Sequence, residues 1–261
     1  KAPMPRRMIA LMIGLLAALP ALAGDPGDLP GRVGGAVTEV VDGDTLFLDD
    51  GTEVRLVGIQ APKLPLGRAG FRKWPLADEA RATLESLVAG RRFDLHFGGR
   101  RLDRHGRSLA HLVTADGFWL QGEMLRLGMA RVYSFPDNRS VVAEMLALEQ
   151  VARQGRYGIW SHPFYAVRAP EELDGDIGTF QIVKGMIADA ARVRGTLYLN
   201  FGADWREDFT VAINRSAGRL FPDTTPAIWR DRTIRVRGWV RSRNGPMIEA
   251  SHPEQIEIVG E

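Results

Sequence analysis

The stretch VVDGDTLFLDDGTEVRLVGIQAPK, residues 40–63, holds the side chains best able to do chemistry. It starts as a phosphate-cleaving site starts: Asp42 and Asp44 supply two carboxylates, and Arg55 on the following strand supplies a guanidinium fork that matches a phosphate. It ends differently, because neutral Gln60 and cationic Lys63 stand where more acid would be useful. Downstream, His105 sits beside Arg107 in DRHGR, residues 103–107. An imidazole titrates in the right range to act as a replacement base, although a loop histidine is as readily exposed or hydrogen-bonded. His96, His111, His162 and His252 show no metal-ligand spacing, so no zinc site is expected.

These side chains need a scaffold, and the pattern around them predicts one. Three strand-like segments are expected near 36–41, 44–49 and 53–60, with DDG at 49–51 as a hairpin turn. A basic loop at 63–75 leads to a helix over 76–89, two strands near 92–98 and 107–114, and helices over 119–128 and 140–154. Five strands and three helices predict a mainly β, α+β unit: a small closed barrel of OB type carrying helices on one side. The acidic segment APEELDGD, residues 169–176, reads as a linker. After it, strand-like segments with one helical or looped insertion predict a second OB-like β-barrel over 177–261.

At the amino end Arg6 and Arg7 precede an apolar run at 8–19 and then ALA at 21–23, the pattern of a secretory signal peptide over 1–23, with 24–35 as a linker. The run is too short to span a bilayer comfortably, so a periplasmic or secreted protein without a stable membrane span is expected. Loss of Lys1, Arg6 and Arg7 would leave 31 of the 34 Lys plus Arg against 32 Asp plus Glu, a formal balance of −1. The basic whole-chain pI therefore says little about nucleic acid, and only local clustering can. The chain has no cysteine, which excludes disulfides, thiolate nucleophiles and cysteine-zinc sites.

Residues 36–162 resemble the staphylococcal nuclease (thermonuclease-like) family through DGDT at 42–45, VRLVGI with AP at 54–62, DRHGR at 103–107, GEMLRLGMARVY at 122–133 and GIW at 158–160. The resemblance implies a five-stranded OB barrel with three helices and calcium-dependent cleavage of DNA and RNA. It also implies site residues: the first metal aspartate at Asp44 and the phosphate-holding arginines at Arg55 and Arg107. The second metal aspartate falls on Gln60 and the general-base glutamate on Lys63. Exchanging Asp for Gln removes a negative charge from the shell of a hard cation. A lysine ammonium cannot accept a proton from water at neutral pH, and it repels a divalent ion.

The expectation is therefore a degenerate metal site, with calcium bound only if the family site survives. Arg55, Arg107 and Lys63 would surround a phosphate, and hydrolysis would be weak or lost. An active endonuclease on DNA or RNA is the alternative, and an envelope scaffold that docks protein through the second barrel is a third reading. Two more basic clusters bear on the partner, which is expected to be nucleic acid or another phosphorylated polymer. Arg68, Arg72 and Lys73 with Trp74 could form a basic lip, or be solvated charges. RVRGWVRSR puts Arg235, Arg237, Trp239, Arg241 and Arg243 on one face of a strand, as a single-strand-binding groove or as a solvated face with Trp239 under the arginine stems.

Overall fold

Alternation of apolar and polar residues builds the first half. In a computed structural model, which describes residues 24–259, strands β1 (Gly31–Asp42), β2 (Thr45–Leu48), β3 (Glu53–Leu56), β5 (Arg92–His96) and β6 (Ser108–Val113) close a barrel in the order β1-β2-β3-β6-β5. All neighbours are antiparallel except β3 and β6. Inward residues such as Leu46, Val54, Leu56, Phe93, Leu95 and Leu112 form one apolar core with Ala80 and Leu84 of helix α1 (Ala77–Val88), Met124 of α2 (Leu120–Arg126) and Met145 of α3 (Val142–Gln154). The expected barrel and its three helices are present. The expected signal peptide lies outside the described residues, and among these no helix is long and apolar enough to cross a membrane.

Two boundaries differ from the sequence pattern. β1 begins at Gly31, so residues 31–35, expected in a linker, pair with β5. The segment 53–60, expected as one strand, breaks at Val57–Gly58 and resumes as β4 (Ile59–Gln60), which pairs with β7 (Arg131–Val132). Gly58 has φ +82, a conformation that favours glycine, and a Cβ there would meet the Met145 sulfur at 2.7 Å. The break turns Gln60 away from the barrel ladder and places it opposite Arg131.

The second half forms a seven-stranded sheet. β8 (Phe180–Met186) and β9 (Asp189–Val193) are two stretches of one expected strand, bent at Ile187–Ala188. Together they pair with β10 (Thr196–Asn200) on one side and β12 (Thr233–Ser242) on the other. β10 pairs with β11 (Thr210–Ile213), β11 runs parallel to β13 (Pro246–Glu249), and β13 returns to β12. β14 (Ile256–Ile258) lies along β12 as well. The sheet order is β14-β12-β13-β11-β10-β9, with β8 paired to β12. The expected insertion after β11 is formed by 3-10 turns at Ala217–Leu220 and Pro226–Ile228. Leu173, inside the acidic segment, is buried in this second core.

A third apolar cluster and a set of polar bonds join the halves. Ile182 of β8 packs with Ala152, Ile159, Trp160 and Tyr165. Arg139 makes a bidentate pair with Glu254 at 2.7 and 2.8 Å, and the Ser134 hydroxyl lies 2.7 Å from His252 Nε2. His252 is fully buried, and His111 nearly so. Burial pushes His252 down to about 4, with the Arg139 and Arg237 charges adding to it, and burial with the His96 charge pushes His111 down to about 3. Because both folded values lie below the ordinary 6.5, the unfolded chain takes up protons first as pH falls. Stability should be fully present above pH 6.5 and decline from there towards pH 4 and below, by up to about 1.4 kcal/mol per pH unit for each imidazole. Urea unfolding at pH 7.5, 6 and 5 checks this, and His111→Gln should flatten the decline.

Candidate functional site

The DGDT turn is held tightly enough to fix both carboxylates. A Cβ on Gly43 would sit 2.6 Å from the Ala61 Cβ and 3.0 Å from that of Ala80, so only glycine lets the turn approach α1 and the start of the 61–75 loop. The Asp44 backbone N–H donates to Asp42 Oδ1 at 3.0 Å, and the Ala61 N–H donates to Asp44 Oδ2 at 2.8 Å. Asp44 is completely buried.

Into this pair reaches Lys63. Its ammonium donates to both Asp44 oxygens at 2.6 Å and lies 3.3 Å from Asp42 Oδ2. The Arg55 guanidinium approaches Asp44 Oδ2 at 3.3 Å from another side. Burial works against the Asp44 charge, but Arg55, Lys63 and the Ala61 N–H outweigh it and hold this carboxyl below the ordinary range. Asp42 is pushed up by burial and then by the Asp44 charge. Lys63 and Arg55 thus together balance the two aspartates, and Lys63 does not project as a free phosphate ligand, a correction to its expected place in an anion cradle.

Arg55 also differs from expectation. Its N–H groups donate to the carbonyls of Leu56 and Ile59 at 2.7 Å and of Asp44 at 3.3 Å, so it clamps the broken strand and forms the floor of a pocket. Gln60 does not join Asp44 as a metal ligand. Its Oε1 accepts from Arg131 Nε at 2.9 Å and Nη2 at 2.7 Å, as their cross-strand pairing dictates. Among the described residues, no group of three or more acidic or histidine side chains is placed to hold a metal. The donor set here is two carboxylates whose shared space is taken by an ammonium, which does not fit calcium.

The pocket above Arg55 has a volume of about 450 Å³. Arg55, Arg100, Arg104 and Arg107 line it against Asp103 and Asp137, and Tyr133 and Phe135 form an aromatic wall. Arg107 is 27% exposed and gives its Nε and Nη2 to Asp103 at 2.8 and 2.7 Å, which orients the guanidinium and leaves Nη1 for a ligand. His105 is exposed at the mouth, where its Nε2 accepts from Arg104 Nε at 3.0 Å. That bond engages the lone pair a base would need. Sequence reasoning missed Tyr133 and Phe135, although VYSFPDN with its turn-forming PDN carries an aromatic pair two apart.

The remaining candidates separate. Arg68 folds back onto the Leu64 and Pro65 carbonyls and over the Phe71 ring, Lys73 pairs with Asp78, and Trp74 packs against Phe71 and Phe164, while Arg72 is exposed. Trp74 is therefore partly buried, packed against the apolar cluster at the seam. On β12, Arg237 is 1% exposed, the opposite of its expected role as a nucleic-acid contact. It grips Glu149 of α3 at 2.8 and 2.9 Å and Glu257 at 2.6 Å. Arg235 is paired to Glu257 at 2.9 Å and is mostly buried. Only Trp239, Arg241 and Arg243 of that face reach solvent, with Arg241 paired to Glu249.

Comparison with known proteins finds relatives by sequence similarity. The profile of the family described as "Staphylococcal nuclease homologue" matches residues 53–162. An "Uncharacterized endonuclease" of Escherichia coli O157:H7 is 32% identical over 130 residues, covering 49% of this chain and 76% of that protein. "Protein ParB" of Escherichia coli is 30% identical over 174 residues, 60% of this chain and 84% of that protein. "Endonuclease YhcR" of Bacillus subtilis (strain 168) is 27% identical over 158 residues, 57% of this chain and 13% of that much longer protein.

Proposed function

We propose, for a chain that belongs to the staphylococcal nuclease family, a nucleic-acid-binding role in which phosphodiesters are held by the arginine pocket without calcium and hydrolysis is weak or absent. The observation that carries this is the Lys63 ammonium at 2.6 Å from both Asp44 oxygens, beside a pocket that still presents Arg107. A phosphate entering the pocket meets the free Nη1 of Arg107, with Arg104 and Arg100 at the rim and the Arg55 charge below. Tyr133 and Phe135 give an attached sugar and base an apolar wall. Neither residue considered as a base is free to take a proton from water, since Lys63 is a donor and the His105 lone pair faces Arg104. The Arg6-Arg7 pair and the apolar run at 8–19 support export as part of the same reading.

Labelled single-stranded DNA and RNA should bind in chelator with a steep dependence on salt. Arg107→Ala should weaken that binding about 10- to 100-fold, the worth of one or two charge-assisted hydrogen bonds. Calorimetry should give no heat of calcium binding at micromolar concentrations. Calcium-dependent cleavage that disappears in Arg107→Ala would overturn the proposal in favour of an active endonuclease, the activity named for two of the relatives.

A further inference from the structure

The pocket wall does not end at the first barrel. Tyr133 stands at its edge, and the Tyr133 hydroxyl accepts a hydrogen bond at 3.0 Å from the indole N–H of Trp239, 106 residues away on β12 of the second barrel. Phe135 packs edge-on against Tyr133 with ring centroids 4.9 Å apart, and Phe180 of β8 packs edge-on against both Tyr133, at 5.0 Å, and Trp239, at 6.3 Å. A contiguous run of Phe135, Tyr133 and Trp239, backed by the buried Phe180, therefore leads from the arginine pocket across the seam. Its two ends, Phe135 and Trp239, are each 45% exposed. Beyond Trp239 the same strand face continues to Arg241, exposed and paired to Glu249, and Arg243 follows, exposed in the turn after β12.

The strand's period sets this position. Arg237 and Trp239 share one face of β12, and Arg237 is locked onto Glu149 of the first domain. With Arg237 as the fixed point, Trp239 is delivered to the pocket edge, and its N–H and Phe180 hold the ring in place. A ring so restrained, still nearly half in water, is preorganised for stacking and loses little entropy when a flat partner arrives.

We propose that Trp239 is a base-stacking residue for single-stranded nucleic acid: a strand whose phosphate sits in the arginine pocket places a neighbouring base on Trp239, so the second barrel extends the binding path and sets a preference for single strands. Charge and shape select this occupant. Four arginines around the pocket and Arg241 and Arg243 beyond the tryptophan match a backbone on both sides of a flat apolar platform. In a duplex the bases are already stacked and paired, so the platform gives a double strand nothing.

This inference rests on the pocket binding proposed above, and the test separates the two. The full chain is titrated with a labelled oligothymidylate and with a blunt duplex, alongside Trp239→Leu, Trp239→Phe and Arg107→Ala. Trp239→Leu should weaken single-strand binding roughly 5- to 100-fold and leave duplex binding unchanged, while Trp239→Phe retains most of the affinity. Thermal unfolding of each variant shows whether the seam is intact, and a Leu variant that melts like the parent makes the loss one of stacking. Equal single-strand affinity in Trp239→Leu and parent, with Arg107→Ala still impaired, overturns this inference and leaves the pocket reading standing. A parallel loss of duplex binding in Trp239→Leu also overturns it. No oligonucleotide binding by the parent chain overturns both.

Discussion

Arg237→Ala is expected to lower the unfolding free energy by about 3–5 kcal/mol, the cost of leaving a buried charge without its partner. The mutated guanidinium is 1% exposed and Glu149 is fully buried. Without Arg237, Glu149 keeps only Arg153 Nη1 at 2.6 Å and the Val132 N–H at 2.6 Å. Burial works against the Glu149 charge, and Arg237 is the largest influence that holds its carboxyl below the ordinary range, so the charge is the state the alanine variant strands. The loss falls at the seam, where Arg139–Glu254 and Trp239–Tyr133 are mostly rim contacts. Scanning calorimetry should therefore show one transition for the parent and two for the variant, as the two halves unfold separately. Arg237→Met combined with Glu149→Leu removes both charges together and should recover part of that loss, with Arg153 left to Glu257 at 3.6 Å, because matched apolar replacements of buried ion pairs are often neutral. An alanine variant within 1 kcal/mol of the parent would contradict the account.

The same residue shows how far the sequence could be read. Alternation along TIRVRGWVRS correctly puts the arginines and Trp239 on one face. What alternation cannot say is what covers that face, and here the cover for Arg237 is Glu149, 88 residues earlier on a helix. The first barrel was legible because its signals are local: the DDG turn closes through Gly51 N–H to the Leu48 carbonyl, and the helices carry their own apolar faces. The break at Gly58 was not, since EVRLVGIQ reads as one apolar-rich run, and the close approach of Met145 of α3, which leaves no room for a Cβ at this φ +82 position, is a contact distant in the chain.

Charged side chains were the least legible. Types and order located the site around Asp42, Asp44, Arg55 and Arg107, yet each side chain's role depends on its partner. Lys63, 19 residues from Asp44, meets it because β4 ends beside the DGDT turn, and Gln60 faces Arg131 because β4 pairs with β7. Arg55 donates to three carbonyls because the strand breaks just beyond it. Coulomb attraction over a few ångströms in a buried site decides these pairings, and no pattern along the chain encodes that distance.

Replacing that partner gives the second large effect. Lys63→Glu should cost about 3–5 kcal/mol of stability in chelator and should make the protein calcium-responsive. The substitution removes the ammonium that lies 2.6 Å from Asp44 and 3.3 Å from Asp42, and it adds a third carboxylate to a pair that is already buried. Arg55 alone then faces three acids, so at least one must take up a proton or the turn must open. A hard divalent cation relieves the same repulsion, because clustered carboxylate oxygens are the donors it prefers. Calcium at a hundredfold excess over its dissociation constant would return roughly 2.7 kcal/mol, which reads out as a rise in melting temperature for the variant. The parent should melt at the same temperature with calcium and with chelator, since its own ammonium already fills the cation's place. Adding Gln60→Asp should strengthen the response only if the new carboxylate turns from Arg131 towards Asp44, which makes the double variant a measure of how firmly that cross-strand pair holds. A calcium-dependent shift in the parent as large as in Lys63→Glu would mean that Lys63 swings aside for the ion, and the ion-pair description of this site would be wrong.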